Sequence, residues 1–324
     1  MAQSLGKPIA LGSRSVVHAW GPNAVAKVPI AGVPDGWIRF EAVYTDAVRS
    51  CGAPAPKMLG IEVLNGREIS IYERVDGPSM WDSLVAEPAR ARTFGRELAG
   101  LQIELLSLTA PVIVPLQRTR LLCKIREAAR SVDRRLASVA GLVPTGRSNR
   151  LALCHGDLHP KNVILGANGP IVVDWFDVSR GDACGDVART SLLLNPGQYD
   201  DDSTKHLPGA SRLVLDELHD AYFETIRNHF DFASTELQIW RTIEATARLS
   251  EGVEPGPLLA EISGSYRLMP TRTYVASSSS SNVAGVAAKT SPSFSGQGSS
   301  TDAPASSAIS APAAQSQILM SRSK

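Results

Sequence analysis

Hydrophobic and polar positions over the first 75 residues form short runs rich in β-branched and aromatic residues, which is typical of β strands. Four such runs are SVVHAW, AVAKVPI, IEVL and REISIYERV, at residues 15–20, 24–30, 61–64 and 67–75. Asn65-Gly66 joins the last two runs, and an Asn-Gly pair at such a place is a strong signal for a tight hairpin turn. The pattern therefore predicts an antiparallel sheet.

One helix is predicted between the second and third of these runs, where the apolar residues recur at helical spacing. Asp35 is a suitable N-cap, and Gly52, followed by Pro54 and Pro56, ends the segment. The expected apolar residues of this helix are Trp37, Phe40, Tyr44, Ala47 and Cys51.

After Gly77-Pro78 the pattern changes to long helical segments at about 88–108 and 116–140. A β-like pair follows within residues 151–178, and further helical patterns continue to about residue 265. The sequence therefore predicts an α+β protein with two lobes. A small antiparallel β lobe at 1–77 precedes a larger, mainly helical lobe at 78–275.

The composition changes near residue 276. The last segment, 276–324, is rich in Ser, Ala, Gly and Pro, and Phe294 is its one aromatic residue. Such a segment cannot bury enough apolar surface to offset the entropy lost on ordering. We therefore expect a disordered tail at 276–324.

Charge and cysteine usage exclude several classes of protein. The chain has 33 Lys and Arg against 32 Asp and Glu, so there is no global basic field of the kind that drives binding to nucleic acid. Its four cysteines are widely spaced, which fits a reduced chain better than an exported one. The sequence also contains no apolar stretch of the length that spans a membrane. We expect a cytoplasmic protein without a nucleic-acid or membrane partner.

Candidate chemistry lies in the segment HGDLHPKN at residues 155–162 and in the strand-like IVVD that ends at Asp174. Asp157 and Asn162 are five positions apart on one loop, and Asp174 follows twelve positions later. Mg²⁺ prefers hard oxygen ligands such as Asn162 and Asp174, while a separate carboxylate such as Asp157 can accept or orient the proton of an attacking hydroxyl. This set is suited to phosphoryl transfer.

These segments, followed by VVDWFDVSRGD and GDVAR, resemble the aminoglycoside phosphotransferase and choline kinase-like family of small-molecule kinases. The resemblance extends over about residues 8–265 and includes LGSRSVVHAWG, VAKVP and IYERVDGPSM. It implies a bilobal, protein-kinase-like fold and ATP- and Mg²⁺-dependent phosphorylation of a hydroxyl group on a small molecule. Gly156 stands where protein kinases have an Arg, so regulation by activation-loop phosphorylation is not expected.

The resemblance also implies a role for individual residues. Asp157 is the expected catalytic base, and Asn162 and Asp174 are the expected Mg²⁺ ligands. The residues expected to bind the nucleotide are the lysine Lys27 with its helix partner Glu41, the phosphate-covering turn at Gly12, Ser13 and Ser15, and the hinge from Glu73 to Val75. His155 and Asp186 are expected to hold the catalytic loop, and Asp177 is either a spare ligand or a solvated carboxylate.

Other functions remain open at this point. A catalytically silent, nucleotide-binding regulator would share the same fold. The alternation of His155, Asp157 and His159 is also compatible with a metal-dependent hydrolase, although no further His cluster with ligand spacing is present. The acceptor is not specified, although Asp200-Asp201-Asp202 could attract a cationic amine or aminoglycoside.

Overall fold

A computed structural model describes residues 5–34, 36–145, 151–195 and 211–266 of the chain. Within these ranges the N-terminal part forms a five-stranded antiparallel sheet with the order β1-β2-β3-β5-β4. The strands are β1 (Pro8–Leu11), β2 (Ser15–Ala19), β3 (Ala24–Pro29), β4 (Met58–Leu64) and β5 (Arg67–Glu73). The predicted antiparallel sheet is confirmed.

The Asn65-Gly66 turn has the backbone geometry that its sequence favours. Asn65 and Gly66 have φ angles of 52° and 79°, and Leu64 pairs with Arg67 across the turn. Two consecutive positive φ angles match the twist of the flanking strands. Strand β1 was not predicted, because its four residues are all exposed and carry no alternation of buried and exposed positions.

Helix α1 (Trp37–Ser50) lies between β3 and β4, but its buried face differs from the predicted one. Its N-cap is Gly36, in a left-handed conformation, and Asp35 lies outside the described residues. Phe40, one of the apolar residues expected at helical spacing, is 47% exposed. Glu41 lies on the inner face instead, because it pairs with Lys27 of β3. The buried residues of α1 are Ile38, Glu41, Ala42, Thr45 and Val48.

The C-terminal part is mainly helical, as predicted. One helix was missed, although Ser79 and Asp82 form a capping box at its start. The predicted segment 116–140 is a helix that ends at Ser131 and is followed by 3₁₀ turns at Arg134–Leu142. The helices are α2 (Met80–Ala86), α3 (Ala91–Ser107), α4 (Gln117–Ser131), α5 (Ala183–Leu194), α6 (Ser211–His229), α7 (Ser234–Arg248) and α8 (Pro255–Tyr266).

Two small antiparallel pairs carry the segment with the candidate chemistry. β6 (Ala152–Cys154) pairs with β9 (Ser179–Gly181), and β7 (Val163–Gly166) pairs with β8 (Gly169–Val172). The loop HGDLHPKN runs from β6 to β7, and Asp174 follows β8. The loop and Asp174 therefore each come directly after a strand that is fixed in a pair.

The helical core is built around the contact of α3 with α6. Phe94 and Leu98 of α3 and Tyr222 of α6 are fully buried in it. Gly95 allows the two backbones to approach closely, because a Cβ atom there would lie 2.3 Å from the carbonyl oxygen of Leu218.

The residues Met1–Thr271 belong to one compact unit, so the predicted boundary between residues 77 and 78 lies inside that unit. The chain crosses this boundary close to β7, where the N–H of Leu165 donates to the carbonyl of Pro78 at 2.9 Å. The predicted tail at 276–324 lies outside the described residues. None of the described helices is both long and apolar enough to cross a membrane.

A Gly95→Ala substitution should lower the free energy of unfolding by about 1–3 kcal/mol, because its methyl group would force α3 and α6 apart. Gly100→Ala in the same helix is the matched control. No atom lies within 4 Å of a Cβ at Gly100, so alanine should be neutral or should stabilise the helix by up to about 1 kcal/mol. Urea unfolding of both variants measures this difference, and equal stability would contradict the close approach.

Candidate active site

The candidate catalytic loop, residues 155–162, is held by a sharp turn at Gly156. The N–H of Gly156 donates to Oδ1 of Asp186 at 2.8 Å, and its carbonyl accepts from Nε of Arg189 at 3.0 Å. The φ angle is 78°, and a Cβ atom would lie 2.4 Å from the carbonyl oxygen of Asp177. Only glycine fits this position without strain, and two buried side chains of α5 fix its backbone.

The side chain of Asp186 is itself held by buried polar contacts. Nε2 of Gln102 donates to Oδ2 of Asp186 at 2.8 Å and is 3.0 Å from Oγ1 of Thr190. The hydroxyl of Tyr222 donates to Oε1 of Gln102. Helices α3, α5 and α6 thus share the support of the Gly156 turn.

His155 has a structural position in the loop. Its Nδ1 accepts the N–H of Asp157 at 3.2 Å, so the ring proton resides on Nε2, which donates to the carbonyl of Val173 at 3.2 Å. Burial lowers the pKa of His155 and favours the neutral ring. Both ring nitrogens are engaged, so His155 has no lone pair to offer a metal ion.

The carboxylate of Asp157 is shared between two side chains. Nη2 of Arg189 lies 3.2 Å from its Oδ1, and Nε2 of His159 lies 3.5 Å from its Oδ2. Burial by itself would raise the pKa of Asp157, but the contacts with His159 and Arg189 outweigh burial and hold the pKa well below its usual range. Asp157 is therefore ionised at neutral pH.

Asn162 is oriented by Asp157. Its Nδ2 donates to the backbone carbonyl of Asp157 at 2.9 Å and lies 3.3 Å from Oδ2 of the same residue. With the amide nitrogen fixed in this way, the oxygen Oδ1 points away from Asp157. The carbonyl of Asn162 also accepts the N–H of Val173 at 2.9 Å, which ties the loop to the strand before Asp174.

Asp174 projects into a cleft between the sheet and the helical part. Its backbone is left-handed, with φ 63° and ψ 64°, and its side chain is 43% exposed. Nζ of Lys27 on β3 lies 3.0 Å from its Oδ1. A non-glycine residue in this conformation is uncommon and is often found at functional sites.

Lys27 also pairs with Glu41 of α1, whose Oε1 lies 2.5 Å from Nζ. Burial would lower the pKa of Lys27, but the adjacent carboxylates of Glu41 and Asp174 reverse this effect and raise it. The lysine is therefore positively charged and is aimed between the helix and Asp174. Glu41, Asp174 and Lys27 line the same cleft.

The predicted phosphate-covering turn closes this cleft from the side of the sheet. The N–H of Gly12 donates to the carbonyl of Ser15 at 2.8 Å, which makes a tight connection between β1 and β2. The cleft has an empty volume of about 380 Å³. Its lining includes Gly12, Ser13, Arg14, Ser15, Lys27, Trp37, Glu41, Asp174 and Phe176.

The predicted hinge residues lie outside this cavity. The N–H of Glu73 donates to the carbonyl of Lys57 at 2.9 Å, and the N–H of Arg74 donates to the carbonyl of Asn23 at 2.9 Å. The side chain of Glu73 accepts the N–H of Lys57 at 2.7 Å. Among the described residues, no backbone carbonyl accepts the N–H of Val75.

A second cavity, with an empty volume of about 350 Å³, adjoins the catalytic loop. Arg120 and Lys124, one turn apart on α4, donate to Oδ1 of Asp177 at 2.6 and 2.9 Å. Lys124 also contacts Glu251 at 2.9 Å. Asp177 is thus a buried ion-pair partner and not a solvated carboxylate. The cavity is lined by Gln117, Arg120, Leu121, Lys124, Gly156, Asp177, Ser179, Asp186, Arg189 and Glu244.

Several of these residues were not predicted from the sequence. Arg189 contacts both Asp157 and Glu251, which are 32 and 62 positions away from it. Arg120 and Lys124 carry the one local signal, because their spacing of four places them on one helix face. The predicted acidic run at 200–202 lies outside the described residues.

Glu244 on α7 is a titratable side chain in the wall of the second cavity that lacks a hydrogen-bond or ion-pair partner among the described residues. It is 6% exposed, and it makes no hydrogen bond or ion pair within the described part of the chain. Burial raises its pKa to about 8, although Arg189 and Lys124 partly oppose this effect. At neutral pH it is mostly a carboxylic acid.

Solved structures share the fold of this chain. Aminoglycoside-3'-phosphotransferase of type VIII has a TM-score of 0.52 and 21% identity, covering 77% of this chain and 92% of its own. A thermostable mutant of aminoglycoside phosphotransferase APH(4)-Ia, in a ternary complex with ADP and hygromycin B, has a TM-score of 0.53 and 18% identity, covering 81% and 90%. Amicoumacin kinase hAmiN, in complex with AMP-PNP, Ca²⁺ and Ami, has a TM-score of 0.50 and 11% identity, covering 81% and 86%. The expected protein-kinase-like fold is confirmed.

A comparison with curated proteins finds no match. The sequence pattern of the phosphotransferase enzyme family, APH, matches residues 6–201, which include the cleft, the catalytic loop and Asp174. This match covers more than half of the chain and confirms the family resemblance. The chain belongs to the phosphotransferase enzyme family.

Proposed function

We propose that this protein transfers the γ-phosphoryl group of ATP, with Mg²⁺, to a hydroxyl group of a small molecule. One observation carries the proposal: an ionised Asp157 orients the amide of Asn162. The backbone of Asn162 is bound to Val173, and the next residue, Asp174, contacts the charged Lys27 in the cleft. A silent nucleotide-binding protein would need neither the ionised base nor the oriented amide.

The residues of the cleft are suited to a nucleotide triphosphate. Lys27, fixed by Glu41 at 2.5 Å, offers its ammonium group to phosphate oxygens. The turn at Gly12, Ser13 and Ser15 covers the same space from the sheet. The hinge near Glu73 and Val75 supplies backbone groups for the base, with the N–H of Val75 as the donor.

The donor set also fits a magnesium ion. Asn162 keeps its amide nitrogen on Asp157, which leaves its Oδ1 available, and Asp174 presents a half-exposed carboxylate to the cleft. Mg²⁺ is usually held by one or two carboxylate or amide oxygens together with phosphates and water. When bound, the ion neutralises charge that develops on the phosphates. The described residues contain no cluster of three or more His, Cys, Asp or Glu side chains that could hold a metal ion by themselves.

In the proposed transfer, the acceptor hydroxyl oxygen forms a bond to the γ-phosphorus while the bond from that phosphorus to the β–γ bridging oxygen breaks. ADP leaves with the bridging oxygen, and the hydroxyl proton passes to Asp157. The low pKa of Asp157 makes it a weak base, so it orients the hydroxyl and takes the proton late in the transfer. Arg189 fixes one oxygen of this carboxylate.

The acceptor is proposed to enter the second cavity, which adjoins the catalytic loop at Gly156. The walls offer cations on α4 and the protonated Glu244 on α7, so a polar molecule would find donors and an acceptor there. The complexes of hygromycin B with ADP and of Ami with AMP-PNP, in two structures of similar fold, are consistent with an acceptor beside a nucleotide.

An Asp157→Asn variant should lose at least about a hundredfold in turnover with little change in nucleotide affinity, because it keeps its shape but loses its charge and its capacity as a base. Steady-state rates and a binding titration with AMP-PNP measure the two quantities. Asp46→Asn on the exposed side of α1 is the control. If Asp157→Asn instead bound nucleotide more weakly and kept its turnover, Asp157 would not be the base.

An Asp174→Ala variant should bind ATP equally well with and without Mg²⁺, whereas the natural chain should bind it more tightly with Mg²⁺. The reason is that Asp174 supplies the one carboxylate proposed to hold the ion. Isothermal titration with and without EDTA measures the difference. A variant that keeps its full Mg²⁺ dependence would remove Asp174 from the metal site.

The free energy of unfolding of a Glu244→Gln variant, relative to that of the natural chain, should increase as the pH rises from 5 to 8. In that range the folded protein retains a proton that the unfolded chain, with an ordinary Glu pKa, has released, so the natural chain loses stability as pH rises. The expected gain is about 2–4 kcal/mol. Thermal unfolding at several pH values measures it, with exposed Glu236→Gln on the same helix as control. A gain independent of pH would show that Glu244 is ionised.

A further inference from the structure

Arg14 has no role in the chemistry described so far, although it stands at the mouth of the nucleotide cleft. It lies in the turn between β1 and β2, and its backbone carbonyl accepts the N–H of Ile30 at 3.0 Å. Its side chain is 39% exposed and lines the cleft together with Lys27 and Asp174. The backbone is therefore fixed, and the guanidinium group projects from a rigid turn.

The guanidinium group extends across the cleft to the segment after Asp174. It lies 4.6 Å from the ring centre of Phe176 and 5.8 Å from that of Trp37. These two rings stack on each other at 4.8 Å. A planar guanidinium group against aromatic rings is held by cation–π attraction and keeps its edge N–H groups free for other partners.

The ionic contact of Arg14 is weak and replaceable. Its Nη1 lies 3.9 Å from Oδ2 of Asp177, which is too far for a hydrogen bond. Asp177 already accepts hydrogen bonds from Arg120 and Lys124 at 2.6 and 2.9 Å. Arg14 can therefore turn toward a phosphate without leaving a buried carboxylate unpaired.

The charge balance of the cleft favours such a movement. Lys27 is already bound to Glu41 and Asp174, so its charge is largely compensated. The transferred phosphoryl group carries charge on three equatorial oxygens, and in GTPases an arginine side chain stabilises this charge. Among the residues that line the cleft, Arg14 is the one cation without a carboxylate at hydrogen-bonding distance.

We propose that Arg14 is a further catalytic residue, which binds the γ-phosphate of the nucleotide and stabilises it during transfer. This inference rests on the proposed function. Arg14 neither gains nor loses a proton, and the bonds that form and break are those already given: the acceptor oxygen joins the phosphorus, and ADP leaves. Its planar N–H groups can engage two phosphate oxygens at once.

The test compares ADP with AMP-PNP, both with Mg²⁺, by isothermal titration of the full chain. Arg14→Gln should weaken AMP-PNP binding about tenfold or more, because a charge-assisted hydrogen bond to the γ-phosphate is lost. ADP lacks that phosphate, so its affinity should change by less than about threefold. Arg14→Lys should give an intermediate AMP-PNP affinity, since lysine keeps the charge but not the planar pair of donors.

Arg39→Gln is the matched control. It removes another arginine of the N-terminal part, which pairs with Glu68 outside the cleft, and should change neither affinity. Thermal unfolding without nucleotide shows whether each variant is folded.

Two results would overturn the role of Arg14. If Arg14→Gln weakened ADP and AMP-PNP equally, Arg14 would only brace the turn against Phe176 and Asp177. If it weakened neither, the γ-phosphate would have no contact with this residue. In both cases the natural chain still binds nucleotides, so the proposed function stands. If the natural chain bound neither ADP nor AMP-PNP, the proposed function itself would be contradicted.

Discussion

The turn at Gly156 is the constraint on which the site depends. Its N–H and its carbonyl are bound by Asp186 and Arg189, two buried charged residues of α5, and its missing Cβ lets the carbonyl of Asp177 approach. Because a buried backbone group without a partner is costly, this pairing fixes the turn in one conformation. The position of Asp157, one residue later, follows from it. Helix α5 therefore positions this loop through the backbone contacts at Gly156 and through the contact of Arg189 with the Asp157 carboxylate.

The charges around this turn are arranged in two groups. On the side of the sheet, Lys27 is held between Glu41 and Asp174 in the cleft proposed to bind the nucleotide. On the side of the helices, Arg189 joins Asp157 to Glu251. Within these two groups Lys27, Asp157 and Arg189 each have an opposite charge beside them, which limits the cost of desolvation. The proposed transfer would take place where the two groups meet, between an ionised base and a half-exposed carboxylate.

Sequence patterns predicted the features that depend on neighbouring residues. The Asn65-Gly66 hairpin follows from the φ angles that these residues tolerate, and the loop at 155–162 carries its chemistry in consecutive positions. The apolar spacing of α1 does not by itself indicate which residues are buried, because the pairing of Glu41 with Lys27 on β3 turns a polar residue inward. The contacts of Arg189 were not predicted either, since its partners are distant in sequence and no local periodicity marks them. The roles of the site residues remain predictions.

The proposed activity is the transfer of a phosphoryl group from ATP to a hydroxyl group of a small molecule. Phosphorus NMR of the full chain with ATP, Mg²⁺ and pools of hydroxylated metabolites or aminoglycosides tests it most directly, because each phosphorus product has its own signal. In one pool, we expect a new phosphomonoester signal that grows in step with ADP. Formation of ADP with inorganic phosphate alone in every pool, or no consumption of ATP, would contradict it.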